Sequence, residues 1–350
     1  MRARLEAALH RMWASRGLLP ICLTPLSALF YTAAALKRRR TSARRLPVPV
    51  VVVGNIYVGG TGKTPVTIAL VRALRERGWT PGVISRGFGA EAEVPRLVRS
   101  DMSAGEAGDE PLLIAQETGV PVAVGRDRPR AAQHLLARHP EVDLIVSDDG
   151  LQHGALARDV ELAVVGARGL GNGWVLPAGP LREGPSRLDT VDAIILNSAS
   201  ETIVKSRTPR FAVSSCFGKV TRLDGGDVVT IDDIAERLRR EGGKALAAAG
   251  IAAPERFFAM IRAHGINPVE RPLPDHYDFK DNPFADADAS IILITGKDAV
   301  KCARSPDIAR DKRLYVVGLE LALDDYLVTL VDERCREAAR RLKATLENPS

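Results

Sequence analysis

The sequence predicts an α/β fold: a doubly wound, mainly parallel sheet with a second, smaller α/β domain and N-terminal helices that lie in a membrane interface. Three observations lead to this prediction. Short apolar runs alternate with amphipathic stretches along most of the chain, the pattern of parallel sheets covered by helices. From about residue 211 the runs become shorter and a new alternation begins, which indicates a second domain. Residues 17–36 carry no charge and are flanked by arginines, which indicates interfacial helices.

Length and composition fit this prediction. The 350 residues, 45% of them apolar, suffice for two domains with cores. The expected division is N-terminal helices over residues 1–40, a core over 41–210, a smaller α/β lid domain over 211–325 and a C-terminal helix over 326–350. The four cysteines are scattered without a C-x-x-C pair, which argues against a zinc site or a disulfide framework and fits a reducing cytoplasm.

The positive charge of the chain belongs to its N-terminus. Residues 1–45 hold ten Lys or Arg and one Glu, so the rest of the chain is net negative although the whole has a net charge of +6. No nucleic-acid partner is therefore expected. Pro20 and Pro25 interrupt the uncharged stretch, so we expect it to lie on anionic lipid head groups, not to span the bilayer or act as a signal peptide. Packing of these helices on the body of the protein is the alternative.

The first strand of the core leads into a predicted phosphate loop. An apolar run, 48–53, precedes a glycine-rich turn, and an amphipathic stretch, 66–74, follows it. Glycines let successive backbone N–H groups point at one anion, and the N-terminus of the next helix adds positive potential. Lys63 would reach the β- and γ-phosphates, and the Thr64 hydroxyl would face Mg²⁺. The predicted nucleotide-binding residues are Gly59, Gly60, Thr61, Gly62, Lys63 and Thr64.

One position departs from the usual phosphate-loop pattern. The strict pattern has glycine at position 57, where this chain has Tyr57. The chemically active half of the loop, Gly62-Lys63-Thr64, is intact. A plain glycine-rich turn with a surface lysine is the alternative, but the strand before it and the helix after it favour phosphate binding.

Two aspartates end a later strand of the core. The apolar run 142–146 leads into Asp148 and Asp149. P-loop enzymes use such an aspartate to hold the shell of Mg²⁺ opposite the loop hydroxyl, here that of Thr64. A polar strand end entering a turn is the alternative. We expect at least one of the two aspartates to take the metal role.

Further polar residues stand where α/β sheets bind ligands, beside the carboxyl ends of the strands. Arg86 follows the second predicted strand, and Arg128 opens a helix after the third. Asp109 precedes another helix, where it is either a cap or a catalytic group. The Pro- and Gly-rich loop over 176–183 is too long for a simple connection, and such loops tend to be functional. The remaining candidates at this edge are Gln152, His153, Arg182 and Glu183.

The predicted second domain repeats the alternation on a smaller scale. It begins with three short strand-like runs, 211–214, 219–223 and 227–231. Its candidate for a catalytic side chain is His276, a histidine that lies in a loop among carboxylates. A lone histidine is usually structural, but one in a polar loop that faces the core could act there.

Several segments, in order along the chain, resemble the tetraacyldisaccharide 4′-kinase family of lipid A biosynthesis. Two are distinctive: Asp-Asp-Gly-Leu-Gln-His over 148–153 and Leu-Pro-Ala-Gly-Pro-Leu-Arg-Glu over 176–183. The others are 54–56, 59–65, 85–87, 108–111, 275–277 and 297–299. The resemblance implies an enzyme at the cytoplasmic face of the bacterial inner membrane. It would use ATP and Mg²⁺ to phosphorylate the 4′-hydroxyl of a tetraacylated glucosamine disaccharide 1-phosphate, giving the lipopolysaccharide precursor lipid IVA.

The resemblance also implies roles for particular residues. Asp109 would be the base that activates the acceptor hydroxyl, with His276 as its partner and Lys63 as a third catalytic residue. The family commonly has tyrosine at Phe88, so this chain keeps a stacking surface and loses a hydrogen bond. The residues expected to hold Mg²⁺ are Thr64, Asp148, Asp149 and Glu183. The residues expected to contact the acceptor are Arg86, Phe88, Arg128, Gln152, His153 and Arg182. The expected partners are the acylated substrate and a membrane surface of anionic lipids, and the chain is expected to be a monomer.

Two other functions share the phosphate loop. A membrane-associated regulatory ATPase of the partition or division-site kind has the same loop order but a signature lysine where this chain has Val58. A carboxylate-activating P-loop ligase would not need basic, apolar N-terminal helices. Phosphoryl transfer to a lipid accounts for the phosphate loop and for the basic, apolar N-terminal helices. An acylated acceptor stays in the membrane, so the enzyme must come to it.

Overall fold

The apolar runs of the sequence form strands and most of the amphipathic stretches form helices. The computed structural model describes residues 9–87, 94–99, 101–197, 206–251, 253–275 and 277–347. The helices of these residues are α1 (Leu18–Cys22), α2 (Thr24–Arg40), α3 (Lys63–Glu76), α4 (Ala104–Ala107), α5 (Asp109–Thr118), α6 (Arg128–Arg138), α7 (Ile231–Glu241), α8 (Pro254–Ala263), α9 (Gly296–Cys302), α10 (Pro306–Ala309) and α11 (Asp325–Glu347). Residues 9–12 are helical as well, and Pro185–Thr190 forms a 3₁₀ helix.

The strands of the same residues run from β1 to β13. They are β1 (Val50–Gly54), β2 (Pro81–Ser85), β3 (Arg96–Leu97), β4 (Val122–Val124), β5 (Leu144–Asp148), β6 (Val160–Gly166), β7 (Ala193–Asn197), β8 (Arg210–Arg222), β9 (Val228–Val229), β10 (Ala245–Ala249), β11 (Val269–Pro272), β12 (Ile291–Thr295) and β13 (Leu314–Ala322). The chain divides into two compact units, Met1–Ser214 with Ala322–Ser350, and Ser215–Leu321. The functional division into core, lid and terminal helices stays a prediction.

The first unit is built on a parallel sheet. Its strand order is β8-β7-β6-β1-β5-β2-β4-β3, with only the short β3 antiparallel to its neighbour. The central strands are buried along their whole length, because helices cover both faces of a parallel sheet. β1 lies between β5 and β6, and Val53 of β1 is level with Asp148 of β5. The loop after β1 and the aspartates after β5 therefore emerge side by side, and the predicted doubly wound, mainly parallel fold is confirmed.

The C-terminal helix α11 packs on the first unit. Trp79 donates its indole N–H to Asp332 at 2.7 Å, and the guanidinium of Arg336 lies over the Trp79 ring at 5.4 Å. The side chains of Leu327 and Val331, also in α11, are fully buried. A chain segment more than 100 residues beyond the core strands thus completes the core of that unit.

The second unit has its own sheet and two cores. Its strand order is β11-β10-β12-β13-β8, with β9 antiparallel to β8, and the strands from β11 to β13 are parallel. One cluster centres on Phe257, Phe258 and Ile261 of α8, and the other on Phe279 and Phe284. Two clusters with separate members are what a sheet covered on both faces produces.

The start of the second domain differs from the sequence-based expectation. The runs 211–214 and 219–223 were expected as separate strands, but both belong to the thirteen-residue strand β8. The first half of β8 pairs with β7 and the second half pairs with β9, so each half finds a hydrogen-bonding neighbour and the chain need not turn between them.

The N-terminal helices α1 and α2 bury few of their side chains. Pro20 and Ser27 are buried, and the Ser27 hydroxyl donates to the carbonyl oxygen of Val175 at 2.9 Å and accepts from the backbone N–H of Ala178 at 2.9 Å. Within the described ranges, we find no helix whose length and hydropathy would let it span a bilayer.

Candidate functional site: a phosphate loop beside two aspartates

The glycine-rich loop has the backbone of a phosphate-binding turn. Gly59 and Gly62 have φ values of 110° and 78°, which L-residues with a side chain rarely adopt. A Cβ on Gly62 would also lie 2.0 Å from Nδ2 of Asn197. Helix α3 begins immediately after Gly62, so its unpaired N–H groups and its positive end face the loop. The predicted strand, loop and helix are therefore present in that order.

Two asparagines hold this loop in shape. Asn55, fully buried, donates to the carbonyl oxygen of Tyr57 at 2.8 Å and to the hydroxyl of Thr61 at 3.0 Å. Asn197, at the end of β7, donates to the carbonyl oxygen of Thr61 at 3.1 Å. Sequence reasoning gave neither residue a role. Asn55 could have been found as a polar residue directly between a buried strand and the loop, whereas Asn197 is 136 positions from the group it contacts.

Tyr57 fits the loop although the usual pattern has glycine there. It is not among the described residues with positive φ, so the position does not need glycine. The side chain turns away into a buried site, where its ring stacks on His10 and its hydroxyl lies 3.2 Å from His10 Nδ1. Burial raises the pKa of the Tyr57 hydroxyl, and the charge of Arg168 partly opposes this. The departure at position 57 therefore leaves the phosphate-binding half unchanged.

The two aspartates at the end of β5 lie in different environments. Asp148 is buried, and its Oδ1 accepts a hydrogen bond from the Thr67 hydroxyl at 3.1 Å. Asp149 is partly exposed and has φ of 48°, which is unusual for a residue other than glycine. Its Oδ1 lies 3.5 Å from Nζ of Lys63, and both of its oxygens accept from Nη1 of Arg182 at 3.1 Å. The structure thus brings three predicted site residues, Lys63, Asp149 and Arg182, into direct contact.

The pKa values of the two aspartates move in opposite directions. Burial, followed by the negative charge of Glu110, raises the pKa of Asp148 to about 7. Burial would also raise the pKa of Asp149, but the positive charges of Lys63 and Arg182 outweigh it and lower that pKa. At neutral pH Asp149 is therefore ionised, whereas the carboxyl of Asp148 ionises only near neutrality, because its burial and the charge of Glu110 outweigh the positive charges of Lys63 and Arg128.

These opposite shifts predict opposite effects on stability. A raised pKa means that the metal-free protein loses stability as the pH rises from about 4, the usual Asp value, to about 7, because the unfolded chain ionises first. Asp148→Asn is therefore expected to raise the midpoint of thermal unfolding at pH 8, by an amount that shrinks towards pH 4. Asp149→Asn is the matched control and should lower the midpoint at pH 8, since it removes an ionised partner of Lys63. Scanning fluorimetry with a chelator present measures both, and a lower midpoint for Asp148→Asn than for Asp149→Asn at pH 8 would contradict the assignment.

Asp148 also fits a magnesium site. Its Oδ2 is buried and has no hydrogen-bond partner among the described residues. An unpaired, buried carboxylate oxygen is costly unless a cation compensates it, and Mg²⁺ prefers oxygen ligands. The described residues hold no cluster of three or more His, Cys, Asp or Glu side chains arranged for a metal. Mg²⁺ in nucleotide sites is bound by one or two protein oxygens together with phosphates and water, so a cluster is not required. Of the predicted metal residues, Thr64 lies in the first turn of α3, beside the loop.

Glu183 lies in a hydrogen-bonded network at the same edge. Its Oε1 accepts from Gln152 at 2.9 Å, and its Oε2 accepts from Arg38 at 2.7 Å and lies 3.5 Å from Nε of Arg187. Gln152 also accepts from Arg182 at 3.3 Å. A metal at Glu183 would have to replace one of these partners, and that assignment stays a prediction.

The remaining predicted acceptor residues occupy the surroundings of the aspartates. Arg128 is buried and donates from Nη2 to the carbonyl oxygens of Asp148 and Asp149 at 2.9 and 2.8 Å. Burial lowers the pKa of its guanidinium, with the two aspartates opposing that shift. Arg86 is exposed after β2, and His153 is partly buried and accepts at its carbonyl oxygen from Arg158. Arg128 therefore holds the backbone of the aspartates in this structure.

Asp109 lies in the first turn of α5, beside the site. Gly108, with φ of 86°, takes the cap position, so Asp109 is a helical residue and not the cap. The next residue, Glu110, lies near enough to raise the pKa of Asp148 by its charge. The N-terminal end of α5 therefore lies close enough to Asp148 for their charges to interact. Sequence reasoning overlooked Glu110.

Two predicted site residues cannot be placed. Phe88 and His276 lie outside the described residues. Close to His276 in the chain, Asp275 pairs with Lys297 at 3.2 Å within the second unit. Asp298, fully buried there, accepts from the backbone N–H of Gly250 and from the Thr295 hydroxyl.

The parallel sheet, the phosphate loop and the paired aspartates define a P-loop enzyme of nucleoside-triphosphate chemistry. A model of the family LpxK, tetraacyldisaccharide-1-P 4′-kinase, matches residues 19–336. The tetraacyldisaccharide 4′-kinase of Herminiimonas arsenicoxydans is 49% identical over 349 residues, covering 96% of this chain and 97% of that protein. The protein of the same name from Bordetella petrii is 50% identical over 347 residues, covering 94% and 96%. The crystal structure of LpxK from Aquifex aeolicus in complex with ATP has 26% identity and a TM-score of 0.74, covering 91% of this chain and 99% of that one.

The chain belongs to the tetraacyldisaccharide-1-P 4′-kinase family. It is a phosphotransferase that acts on a hydroxyl group of a lipid A precursor, a glycolipid. The resemblance found in the sequence is thereby confirmed, and the regulatory ATPase is not favoured.

Proposed function

We propose that this chain transfers the γ-phosphoryl group of ATP, with Mg²⁺, to the 4′-hydroxyl of a tetraacylated glucosamine disaccharide 1-phosphate, giving lipid IVA. The observation that carries the proposal is the contact between the phosphate loop and the aspartates of β5, with Nζ of Lys63 3.5 Å from Asp149. Phosphoryl transfer depends on positioning and charge neutralisation more than on covalent chemistry. A preformed loop, a lysine and two carboxylates are the groups that this chemistry needs.

In this mechanism the loop binds and orients the nucleotide. The backbone N–H groups from Gly59 to Lys63 and the positive end of α3 hold the phosphates, and Lys63 neutralises charge on the transferred group. Thr64 and Asp148 would hold Mg²⁺, with Asp149 and Glu183 as further candidates. The metal, when bound, neutralises charge on the phosphates. Asn55 and Asn197 keep the loop in its binding conformation before the nucleotide arrives.

The acceptor hydroxyl needs a base, because a sugar hydroxyl is a poor nucleophile until its proton is removed. We propose Asp109 for this role, with His276 as the residue that orients it. A carboxylate oxygen of Asp109 would take the hydroxyl proton as the hydroxyl oxygen bonds to the γ-phosphorus, while the bond from that phosphorus to the β,γ-bridging oxygen breaks and ADP leaves. Arg86, Arg182, Gln152 and His153 would contact the acceptor, Arg128 would support them by holding the backbone of the aspartates, and Phe88 would offer its ring as a stacking surface.

We also propose that α1 and α2 attach the enzyme, as a monomer, to the cytoplasmic face of the bacterial inner membrane. Of the twelve large hydrophobic side chains exposed among the described residues, eight belong to this segment. They are Leu18, Leu19, Ile21, Leu26, Leu29, Phe30, Tyr31 and Leu36. Water-exposed apolar side chains next to the exposed Arg11 and Arg16 match the boundary between acyl chains and anionic head groups.

Polar substitutions in this segment test the attachment. Leu19→Gln with Leu29→Gln is expected to reduce cosedimentation with anionic vesicles several-fold, because each exposed leucine contributes apolar area to the lipid boundary. These substitutions are preferable to deleting the helices, which would also remove the bonds from Ser27 to the loop of Val175 and Ala178. Val269→Gln, at an exposed valine of the second unit, is the matched control and should sediment like the wild type. Equal sedimentation of all three proteins would place the lipid contact elsewhere.

The transfer of labelled γ-phosphate from ATP to a tetraacyldisaccharide 1-phosphate in detergent micelles tests the proposed reaction. Label in the glycolipid, dependent on Mg²⁺ and absent without the lipid, is the expected result. Release of labelled phosphate that is equal with and without lipid, with no labelled glycolipid, would instead indicate an ATPase.

A further inference from the structure

The last turn of α2 is joined to the site by a short ion pair. Nη1 of Arg38 donates to Oε2 of Glu183 at 2.7 Å. Glu183 is 6% exposed at its side chain and Arg38 is 48% exposed, so the pair runs from the surface helix to a buried carboxylate. The stem of Arg38 passes near Gly154, where a Cβ would lie 3.8 Å from its Cγ. Arg38 is the described residue of α2 that reaches the network around the aspartates.

The network continues from Glu183 to the phosphate loop without a gap. Gln152 donates from Nε2 to Oε1 of Glu183 at 2.9 Å and accepts at its Oε1 from Arg182 at 3.3 Å. Arg182 donates to both oxygens of Asp149 at 3.1 Å. Asp149 in turn lies 3.5 Å from Nζ of Lys63. Each group is thus oriented by its neighbour, and the orientation of Arg182 depends on that of Gln152 and Glu183.

We propose that Arg38 is a positioning residue for phosphoryl transfer: it fixes Glu183 and, through Gln152 and Arg182, the groups that orient Asp149 and Lys63. The position of α2 on a lipid surface thereby sets the geometry of the phosphate site. This inference rests on the function proposed above, because it assigns a consequence of lipid attachment to the same site.

Arg187 cannot replace Arg38 in this role. Its Nε lies 3.5 Å from Glu183, and its other nitrogens are already bound to Glu161 and to the Thr190 hydroxyl. Arg38 makes the shorter contact, and it alone of the two belongs to the helix with the exposed apolar side chains. Without Arg38 the buried carboxylate of Glu183 would lose its closest positively charged partner. Because an unpaired buried carboxylate is costly, Glu183 is expected to shift towards its remaining donors. Gln152, already bonded to Oε1, and Arg187 at 3.5 Å are the remaining donors, and a shift of Glu183 towards Arg187 would move Gln152 and, through it, Arg182.

Kinetics of Arg38→Gln in mixed micelles, beside Arg40→Gln, test the inference. Arg40 lies in the same last turn, is exposed, and has no side-chain hydrogen bond or ion pair within the described part of the chain, which makes it the matched control. Arg38→Gln is expected to lower kcat about tenfold while the KM for ATP changes less than about twofold, since small displacements of reacting groups reduce the rate without removing binding. Arg40→Gln should leave both parameters within about twofold of the wild type, and Arg38→Lys should recover part of the lost kcat. Vesicle sedimentation should be the same in Arg38→Gln and Arg40→Gln, because each loses one positive charge and both keep the apolar side chains.

A double-mutant cycle with Glu183→Gln distinguishes positioning from a general loss of structure. Since Arg38 acts through Glu183, the substitution Arg38→Gln should lower kcat no further in a Glu183→Gln background. Independent, multiplicative losses would overturn the inference, and so would equal kcat values for Arg38→Gln and Arg40→Gln. If Lys63→Ala retained activity, the proposed function would fail. If Lys63→Ala were inactive and Glu183→Gln impaired while Arg38→Gln was normal, only this inference would fail.

Discussion

Replacing Lys63 with alanine is expected to abolish measurable phosphoryl transfer, with a loss in kcat of at least ~10²–10³-fold. Its ammonium group is the charged side chain of the phosphate loop, it is 11% exposed, and it lies 3.5 Å from Asp149. A charge-neutralising group in a site closed to water contributes more than it would at the surface, because the local dielectric constant is lower. The labelled-phosphate assay on the glycolipid measures the loss directly.

Two controls separate loss of chemistry from loss of fold. Lys280→Ala removes a lysine that is 85% exposed and forms a surface ion pair with Asp278, so its turnover and thermal midpoint should match the wild type. The thermal midpoint of Lys63→Ala should fall only modestly, since Asp149 keeps Arg182 as a partner. Transfer by Lys63→Ala at a rate near that of Lys280→Ala would mean that the loop does not bind the nucleotide.

Asp109→Asn is expected to lower turnover by at least ~10² while ATP affinity stays within a few-fold of the wild type. Asparagine keeps the size of the side chain but cannot take the hydroxyl proton. Asp109 lies in the first turn of α5 and outside the phosphate loop, so the nucleotide should bind almost unchanged. Turnover and nucleotide affinity, measured separately, distinguish a base from a binding residue.

Glu106→Gln is the matched control for Asp109→Asn. Glu106 is an exposed carboxylate in the adjacent helix α4, bonded to the backbone N–H of Ser103, and a glutamine can keep that bond. Its turnover should equal that of the wild type. If Asp109→Asn transferred phosphate as fast as Glu106→Gln, another group would have to remove the proton, and Glu110 would be the next candidate.

The phosphate loop shows why part of this site could be predicted from residues alone. The positive φ of Gly62 favours glycine at that position, and the helix begins at the next residue, Lys63. Both features depend on the backbone conformation of neighbouring residues. Asp148 and Asp149 were predictable for a similar reason, since the parallel strands β1 and β5 end at one edge once an alternating pattern of strands and helices is recognised. The fold class followed from the same alternation.

Long-range contacts were not predictable in this way. The sequence shows that position 57 departs from the usual loop pattern, but only the structure shows where its side chain goes: the Tyr57 ring stacks on His10, 47 residues away, outside the phosphate-binding half. The sequence pattern predicts two short strands where the structure has the single strand β8. Its backbone N–H and C=O groups bond to β7 in the first half and to β9 in the second. Asp148 and Asp149 are adjacent in the chain but have opposite pKa shifts. Burial dominates at Asp148, whereas the positive charges of Lys63 and Arg182 dominate at Asp149.

The α/β fold, the phosphate loop, the aspartates of β5 and the family could be predicted from the sequence, because each depends on local backbone preferences or on residues close together in the chain. The tertiary structure establishes which distant residues meet. It joined Arg38 to Glu183 across 145 positions and brought Arg182 to Asp149 across 33. Such contacts depend on how helices and loops pack around the sheet, and the packing free energy is shared among many side chains that no single motif encodes.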